Sequence, residues 1–377
     1  MKLRWIFGQS IILLGHFVVL AILISSSLSL SASTDLNASK NEIERIYSSF
    51  KLEEKWRLDT GKHELIERGL FDITRFVVGS EGDVYLLNSG SKGDTVFVVD
   101  KTGKLLKSFA RQGQGPGELE RPAGIFLTVD GNIFLLDPVR GKIVIFNREG
   151  ACLKEIKSPP SMDFVYPLPD GNYLGVEPIY GAEVKEWGFA LNYYDSAFRK
   201  IKELDRIGYM NPLIGKKVEA TPHTIVCQVS GGRIYSAYPE RGYEFLVYDL
   251  RGKLIKKITR TFRKSTDLTN YKKIIDRDIG DLSRFGLSLV YPEYVLPFYS
   301  YFTDENGYLF VMTFQPGNKE GEYLYDIISP DGDLVNTVSL GPFFSNSVIL
   351  AKIFNKQLYL VKEKESGEKE IIVYRIY

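Results

Sequence analysis

The sequence has few of the residues that most often bind metals or form disulfide bonds. Its 377 residues include only 2 cysteines and 3 histidines, and one of these, His16, lies in an apolar N-terminal run. Zinc sites and disulfide-rich scaffolds require several such side chains close together. The sequence therefore predicts neither a zinc centre nor a disulfide-dependent fold, and we predict no metal, no cofactor and no catalytic residue.

A surplus of one charge is also lacking. The 48 Lys and Arg residues nearly balance the 47 Asp and Glu residues, which gives a net charge of +1. Binding to nucleic acid depends on a positive surface that neutralises phosphates. We therefore predict no nucleic-acid partner. A GxSxG motif, which marks the nucleophile of many hydrolases, is absent as well.

The N-terminus has the pattern of a targeting segment. Lys2 and Arg4 precede the apolar run Ile11–Ile24, and small residues follow it. A charged start, an apolar middle and a small-residue end are typical of a secretory signal. Because the apolar run is short for a membrane span, residues 1–32 are predicted to be a cleaved signal peptide, with an uncleaved membrane anchor as the alternative. Residues 33–46 are predicted to be a linker.

Aromatic residues and glycine are abundant, and they occur in a repeated pattern. The chain has 23 Tyr, 23 Phe and 34 Gly. Apolar strands are joined by short turns rich in Asp, Asn, Ser or Gly, which is typical of β-hairpins. Five such hairpins are Thr95–Phe109, Lys142–Ile156, Ala190–Leu204, Glu244–Ile258 and Leu324–Val338. Another hairpin precedes each of them, so the repeated unit has four strands.

This repeat predicts an all-β fold, a six-bladed β-propeller of four-stranded antiparallel blades over residues 47–377. The sixth copy has only three strands, which end at Tyr377. The segment Phe50–Leu58 belongs to no complete unit. We therefore predict that this N-terminal strand closes the last blade.

Part of the repeat resembles a known family. Arg111–Gly150 contains a GxGPGE-type loop, a DGNI turn, an aspartate and a hairpin. This segment resembles a bacterial six-bladed propeller family related to NHL repeats, whose members are mostly of unassigned function. The resemblance implies the fold and an exported, periplasmic or lipoprotein-like setting. The chain departs from the lipoprotein pattern because no cysteine lies near the cleavage region.

The glycine-rich loop itself, "GQGPGELERP", invites comparison with a phosphate-binding loop. Such loops are normally followed by a helix whose N-terminal amides complete the site. Here a strand hairpin follows, and Glu118 and Glu120 bring negative charge to the same place. The loop is therefore predicted to connect two blades.

The two faces of the predicted propeller differ in their loops. Turns between strands one and two, and between strands three and four, are short. Connections between strands two and three, and from blade to blade, are longer and dissimilar. Binding groups concentrate on irregular loops carried by a rigid scaffold. We therefore predict that binding takes place on this second face, the long-loop face.

The longest connection is predicted to contain a helical insertion between blades four and five, at about residues 265–289. Apolar residues recur there at three- and four-residue spacing, from Leu268 to Phe285. Ser265, Thr266 or Asp267 can cap the start, and Gly286 suits the end. The helix is either packed on the rim of the blades or a lid or docking element, and packing on the rim is favoured.

Weak candidates for a binding site come from the inner strands and the blade connections. They are Arg75, Arg121, Tyr166, His223 and Tyr299. A calcium site formed by carboxylates remains open, with Asp72, Asp163 and Asp304 at or near inner strands. Cys152 and Cys227 are predicted to be buried apolar residues.

Two functions remain open from the sequence. The first is an exported, non-catalytic propeller that binds a protein, peptide or sugar ligand, in the periplasm or outside the cell, with membrane contact only through the N-terminal segment. The second is a metal-dependent enzyme that uses the central channel, because some related six-bladed propellers are lactonases or lyases. The second requires several polar side chains that converge at one channel mouth.

Overall fold

The structure is a computed structural model that describes residues 40–377 except for 89–92, 160–161, 163, 182–187, 209–212, 215, 223–226, 342–343, 346–347 and 365. Six four-stranded antiparallel sheets contain most of the strands. The inner strands of blades one and two, two and three, four and five, and five and six contact each other. The predicted six-bladed β-propeller is confirmed.

The strands follow the chain from the inner edge of each blade outward. Blades one to three consist of β2 Arg75–Val78, β3 Val84–Leu87, β4 Asp94–Val99, β5 Leu105–Arg111; β6 Gly124–Leu127, β7 Ile133–Asp137, β8 Lys142–Phe146, β9 Cys152–Lys157; and β10 Phe164–Pro167, β11 Tyr173–Ile179, β12 Gly188–Tyr194, β13 Lys200–Gly208. Blades four to six consist of β16 Cys227–Ser230, β17 Arg233–Ala237, β18 Glu244–Asp249, β19 Leu254–Thr259; β21 Ser300–Thr303, β22 Leu309–Pro316, β23 Tyr323–Ile328, β24 Leu334–Leu340; and β27 Ala351–Phe354, β28 Gln357–Glu363, β29 Lys369–Ile376, β1 Leu52–Asp59.

Short elements lie in the connections. They are β14 Leu213–Ile214, β15 Lys217–Glu219, β20 Ser288–Val290, β25 Phe344–Ser345, β26 Val348–Ile349, helix α2 His63–Glu67, helix α3 Thr269–Ile279 and the 3-10 turns Pro239–Arg241 and Ser283–Phe285. A further helix, α1, spans residues 40–49. Residues 40–46 of the predicted linker lie in this helix, and the first strand of the propeller begins at Leu52, within the segment Phe50–Leu58 named from the sequence.

The first strand closes the last blade, as the incomplete sixth repeat predicted. β1 pairs with β29, and the register runs from Leu52 opposite Ile376 to Asp59 opposite Glu370. Trp56 packs on the core formed by blades six and one. The fold therefore joins the two ends of the propeller within one sheet.

The turns between strands three and four have the predicted hydrogen bonds. Asp100, Asp195 and Asp249 each accept backbone N–H groups two and four residues ahead. Ser329 Oγ accepts the corresponding pair in blade five. These local hydrogen bonds pair the backbone N–H groups of each turn without any contact from another blade. The turns could therefore be predicted from the local sequence alone.

The helical insertion differs from its prediction at its C-terminal end. Helix α3 ends at Ile279, because Gly280 takes a φ of 76°. Gly286 ends the separate 3-10 turn. Tyr271, Ile274 and Ile275 are buried as predicted, but Phe285 is 64% exposed and is not part of the buried stripe. The side chain of Asp267 accepts the N–H of Thr269 at 3.0 Å, so it is bonded at the start of the helix.

Candidate functional site

Two connections join on the long-loop face to form an added layer. β14 and β15 belong to the connection between blades three and four, and β20 follows helix α3. These strands form a three-stranded sheet in the order β14-β15-β20, in which β15 and β20 run parallel. The insertion is therefore a small sheet and a helix together rather than a helix alone. This sheet could hardly be predicted, because its strands are two or three residues long and 68 or more residues lie between β20 and the other two.

Tyr271 attaches helix α3 to the connection after β15 and to blade five. Its hydroxyl donates to the carbonyl of Ala220, directly after β15, at 2.6 Å. Its ring packs on Phe314 of blade five with 4.5 Å between the centroids. Since the side chain is buried, it fixes the helix to this connection and to blade five.

Tyr299, one of the predicted candidates, forms a second attachment. Its hydroxyl donates to Asp278 Oδ2 of helix α3, and Arg277 lies 2.9 Å from Asp278 Oδ1. Burial, together with the charge of Asp278, raises the pKa of Tyr299 well above its usual range. The phenol therefore stays protonated and holds the helix, which is the role the sequence did not anticipate for it.

The outer face of the three-stranded sheet is partly apolar. Ile214 is 47% exposed and Val290 is 41% exposed, and Lys217 lies between their strands. Val218, which points to the opposite face, is buried. One side of the sheet is thus buried at Val218, and the other is presented to solvent.

Arg75 and Arg121, two further candidates, have different surroundings. Arg75 begins β2, is partly buried and donates from Nε to the carbonyl of Ala123, which precedes the inner strand of blade two. Burial lowers the pKa of the Arg75 guanidinium. Arg121 is exposed, and its backbone N–H contacts Asp137 Oδ2 at 3.3 Å. Arg75 therefore joins two blades, while the side chain of Arg121 faces solvent.

Tyr166 lies on the inner strand of blade three. Its ring meets that of Phe126 of blade two edge-on at 5.1 Å. Burial raises the pKa of Tyr166 to about 12 and that of the nearby Cys227 thiol to about 12. Both groups are neutral at pH 7 and contribute packing at the inner ends of the blades. His223 lies outside the described residues, so its placement stays a prediction.

Of the three aspartates considered for a calcium site, the structure describes Asp72 and Asp304, and these two do not share a site. Asp72 precedes the inner strand of blade one and lies 2.8 Å from Lys369 Nζ. Asp304 follows the inner strand of blade five, where Oδ1 accepts the N–H groups of Asn306 and Tyr308 in a turn. Inner strands all run in one direction, so these two aspartates lie on opposite faces of the propeller. Asp163 lies outside the described residues. Across the described part of the chain, no three His, Cys, Asp or Glu side chains are grouped as metal ligands.

The glycine-rich loop binds its own carboxylate. Glu118 Oε2 accepts the N–H of Gly115 at 2.9 Å, and a Cβ placed on Gly113 would lie 2.0 Å from the same oxygen. Glu118 thus occupies the place that an external anion would take. The connection to the inner strand of blade two is completed by Asp137, which accepts the N–H of Glu120 at 2.6 Å. This geometry agrees with the prediction of a blade connector.

The two cysteines differ in exposure. Cys227 is buried, as predicted, but Cys152 is exposed at the start of β9. The prediction for Cys152 was wrong because β9 is the outermost strand of its blade, where most side chains face solvent.

Taken together, the closed ring of six blades and the added layer define the class of a six-bladed β-propeller with an elaborated long-loop face. The sequence profile of the 6-bladed beta-propeller family DUF5128 matches residues 67–258, which is half of the chain. The chain belongs to this family. Its relation to NHL repeats stays a prediction.

Solved structures show the same fold at low identity. The protein BF0058 from Bacteroides fragilis, described as exported, is 15% identical, with a TM-score of 0.51 over 87% of this chain and 95% of that chain. A member of the duf4221 family from Bacteroides vulgatus is 13% identical, with a TM-score of 0.51 over 87% and 98%. At this identity the likeness shows the fold alone. No curated protein sequence matches the chain. Among the described helices, none combines the length and apolar character needed to cross a membrane.

Proposed function

We propose that the protein is an exported, non-catalytic propeller that binds a protein or peptide partner through its long-loop face. The observation that carries this proposal is the three-stranded sheet β14-β15-β20. It adds a partly apolar surface to the face where the irregular connections lie. Export rests on the N-terminal pattern of charged, apolar and small residues.

The sheet offers two features that a peptide partner uses. Ile214 and Val290 provide exposed apolar area on one side. β20 is the last strand of the sheet and pairs only with β15, so its other edge is unpaired among the described strands. An extended peptide can add to such an edge through main-chain hydrogen bonds, while side chains beside it supply selectivity.

The attachment of the sheet makes it a fixed surface. Ala220 follows β15 directly, and its carbonyl accepts the Tyr271 hydroxyl. Ser288 of β20 donates its N–H to Lys216 at 3.0 Å. A surface held in this way loses little conformational entropy when a partner binds.

Photo-crosslinking tests this function. A photoreactive amino acid is placed at Ile214 or Val290 and, as matched controls, at the exposed Leu254 and Leu334 near the opposite face. We expect discrete protein adducts in the cell envelope from the first pair and not from the second. Equal adducts from both faces, or none from Ile214 and Val290, would overturn the proposal.

A further inference from the structure

A groove of about 370 Å³ lies between blades one and two, on the face of the short turns. In blade one it is lined by the turn before β3 and by the outer strand β5. In blade two it is lined by the turn before β7 and by the turn between β8 and β9. Its lining includes Asp83, Tyr85, Leu127, Val129, Arg148 and Glu149. The groove lies on the opposite face from the surface of the proposed function, and its argument is independent of that function.

The boundary between blades four and five shows what closes this space elsewhere. Tyr235 and Tyr85 are equivalent, because each stands three residues after the turn glycine of its blade. The Tyr235 hydroxyl donates to the carbonyl of Gly307 in the next blade at 3.1 Å. A Cβ on Gly307 would lie only 2.4 Å from that hydroxyl. The tyrosine and the neighbouring turn are therefore in direct contact at this boundary.

The outer part of the two boundaries is alike. Lys107 Nζ donates to the carbonyl of Arg148 at 2.6 Å. The equivalent Lys256 Nζ donates to the carbonyl of Pro330 at 3.3 Å. Both lysines thus bind the equivalent turn of the next blade, and Lys256 Nζ donates to the carbonyl of Asp331 as well. We therefore attribute the groove to the side chains inside the boundary, where the two boundaries differ.

Two substitutions between the repeats account for the open space. Arg233 donates to the carbonyl of Pro330 at 3.3 Å, whereas the equivalent residue of blade one is the shorter Asp83. Arg148 stands where blade five has Pro330, and its guanidinium lies against Gly131, with Nη2 2.3 Å from a Cβ placed there. The guanidinium thus occupies the place beside the turn glycine that the tyrosine hydroxyl takes between blades four and five.

Charges of both signs surround the Tyr85 hydroxyl. Burial raises the pKa of Tyr85; the charges of Asp83 and Glu149 raise it further, and that of Arg148 opposes them. Glu81 and Lys107 also line the groove, which gives three acidic and two basic side chains. Leu127 and Val129 supply an apolar wall, and Val129 is 72% exposed.

We propose that this groove binds a small zwitterion, an amino acid or dipeptide with an apolar side chain. Arg148 takes the carboxylate, Asp83 and Glu149 take the ammonium group, and Leu127 and Val129 contact the side chain. A simple anion would be repelled by the three carboxylates, and a simple cation would be repelled by Arg148 and Lys107. A ligand that carries both charges can instead pair each of its charged groups with side chains of opposite sign. The volume is in the range of small-molecule sites, about 300–1,000 Å³.

Binding measurements on the purified protein test the proposal. Calorimetry or saturation-transfer NMR is performed with leucine, leucyl-leucine, N-acetyl-leucine, which lacks the ammonium group, and leucine amide, which lacks the carboxylate. We expect millimolar or tighter binding of leucine or the dipeptide, and at least about tenfold weaker binding of both blocked analogues, since each lacks one of the two charged groups that form the stronger hydrogen bonds. Binding of the blocked analogues as tight as that of leucine, or no binding of either zwitterion at millimolar concentration, would overturn it.

Variants locate the ligand. Arg148→Met and Asp83→Asn are each expected to weaken binding at least about tenfold, while Arg251→Met, in the equivalent turn of blade four, leaves it unchanged. Asp83→Arg with Arg148→Pro introduces the residues of the closed boundary and is expected to abolish binding in a protein with an unchanged circular dichroism spectrum. If these groove variants bind the ligand as the unmodified protein does, the site is elsewhere and the proposal is wrong.

Discussion

Asp205 of blade three is bound by Arg241 of blade four through both carboxylate oxygens, with Arg241 Nη2 2.7 Å from Oδ1 and 2.8 Å from Oδ2. Ser236 Oγ donates to Oδ2 at 2.6 Å. The contact crosses a blade boundary and is mostly buried, so it joins two repeats through charge as well as apolar packing.

Asp205→Asn keeps the shape of this contact and removes its charge. We expect a loss of about 3 kcal/mol in the free energy of unfolding, because a buried charge without its partner is costly. Apart from Asp205, Arg241 Nη2 donates to the carbonyl of Arg206 at 3.3 Å and Nη1 has no hydrogen-bond partner; a neutral carbonyl does not compensate the charge. Urea denaturation measures the change. Glu203→Gln, which removes the more exposed pair with Arg206 on the same strand, is the control and is expected to cost less than about 1 kcal/mol. Equal costs would contradict the role of burial.

Gly103 supports the strand that closes the propeller. A Cβ at this position would lie 2.9 Å from Trp56 of β1, and the residue has a φ of 89°. Gly171 has a φ of 80° with no atom within 4 Å of its Cβ position. Both Gly→Ala changes carry the strain of positive φ, about 1–2 kcal/mol. We expect Gly103→Ala to lower the melting temperature further than Gly171→Ala, because Trp56 must also move. The same loss in both would show that the Trp56 contact adds nothing.

Gly113 and Glu118 are expected to be coupled in stability. Gly113→Ala forces its Cβ against the Glu118 carboxylate, and Glu118→Ala removes the hydrogen bond to Gly115. Each single change should destabilise the protein. In the double variant the clash is gone, so the combined loss should be smaller than the sum by about 1 kcal/mol. A double-mutant cycle in urea measures this difference, and additivity would contradict the described loop.

Glu305 is predicted to make stability depend on pH. Its Oε1 accepts the N–H of Asn355 at 2.6 Å, while Oε2 is buried without a partner. Burial raises the pKa of this carboxyl in the folded protein, so the folded state binds more protons than the unfolded state. Its contribution to stability is therefore present below the ordinary pKa of glutamate and is lost as pH rises through the raised pKa.

Glu305→Gln should remove this loss. We expect a gain of about 1 kcal/mol at pH 7 that disappears towards pH 4. Lys352 is close enough for the charge of Glu305 to act on its amine, whose pKa burial lowers. Glu305→Gln therefore also removes a negative charge that stabilises the protonated amine of Lys352. The measurement is therefore repeated in a Lys352→Met background. Glu320→Gln at an exposed position is the control, and a gain equal at both pH values would contradict the expected titration.

Much of the fold could be predicted because its signals are local. Asp249 and the residues it binds lie within four positions of each other, and the same arrangement recurs from blade to blade. The sixth repeat has only three strands at the end of the chain, and one strand at its start belongs to no repeat, so the closure of the last blade could be predicted as well. Helix α3 was found from its apolar spacing, but its end was misplaced, since the conformation of Gly280 does not follow from the pattern.

The sites were harder to predict because they depend on residues far apart in the sequence. Tyr299 is a plausible binding residue by position, yet Asp278 of the insertion uses its hydroxyl. The groove beside Tyr85 depends on Asp83 and Arg148, which lie on different blades. Only a comparison of equivalent positions in blades one and four, and in blades two and five, could have indicated that this boundary differs.

The pairing of β1 with β29 also constrains how the chain reaches its native state. More than three hundred residues separate Leu52 from its partner Ile376. During synthesis the first strand is finished long before β29 exists, so the pairing that closes the ring cannot form until the last hairpin has been made. The sixth blade is therefore completed after the strands of the other five blades have all been synthesised, whatever the order in which those blades fold.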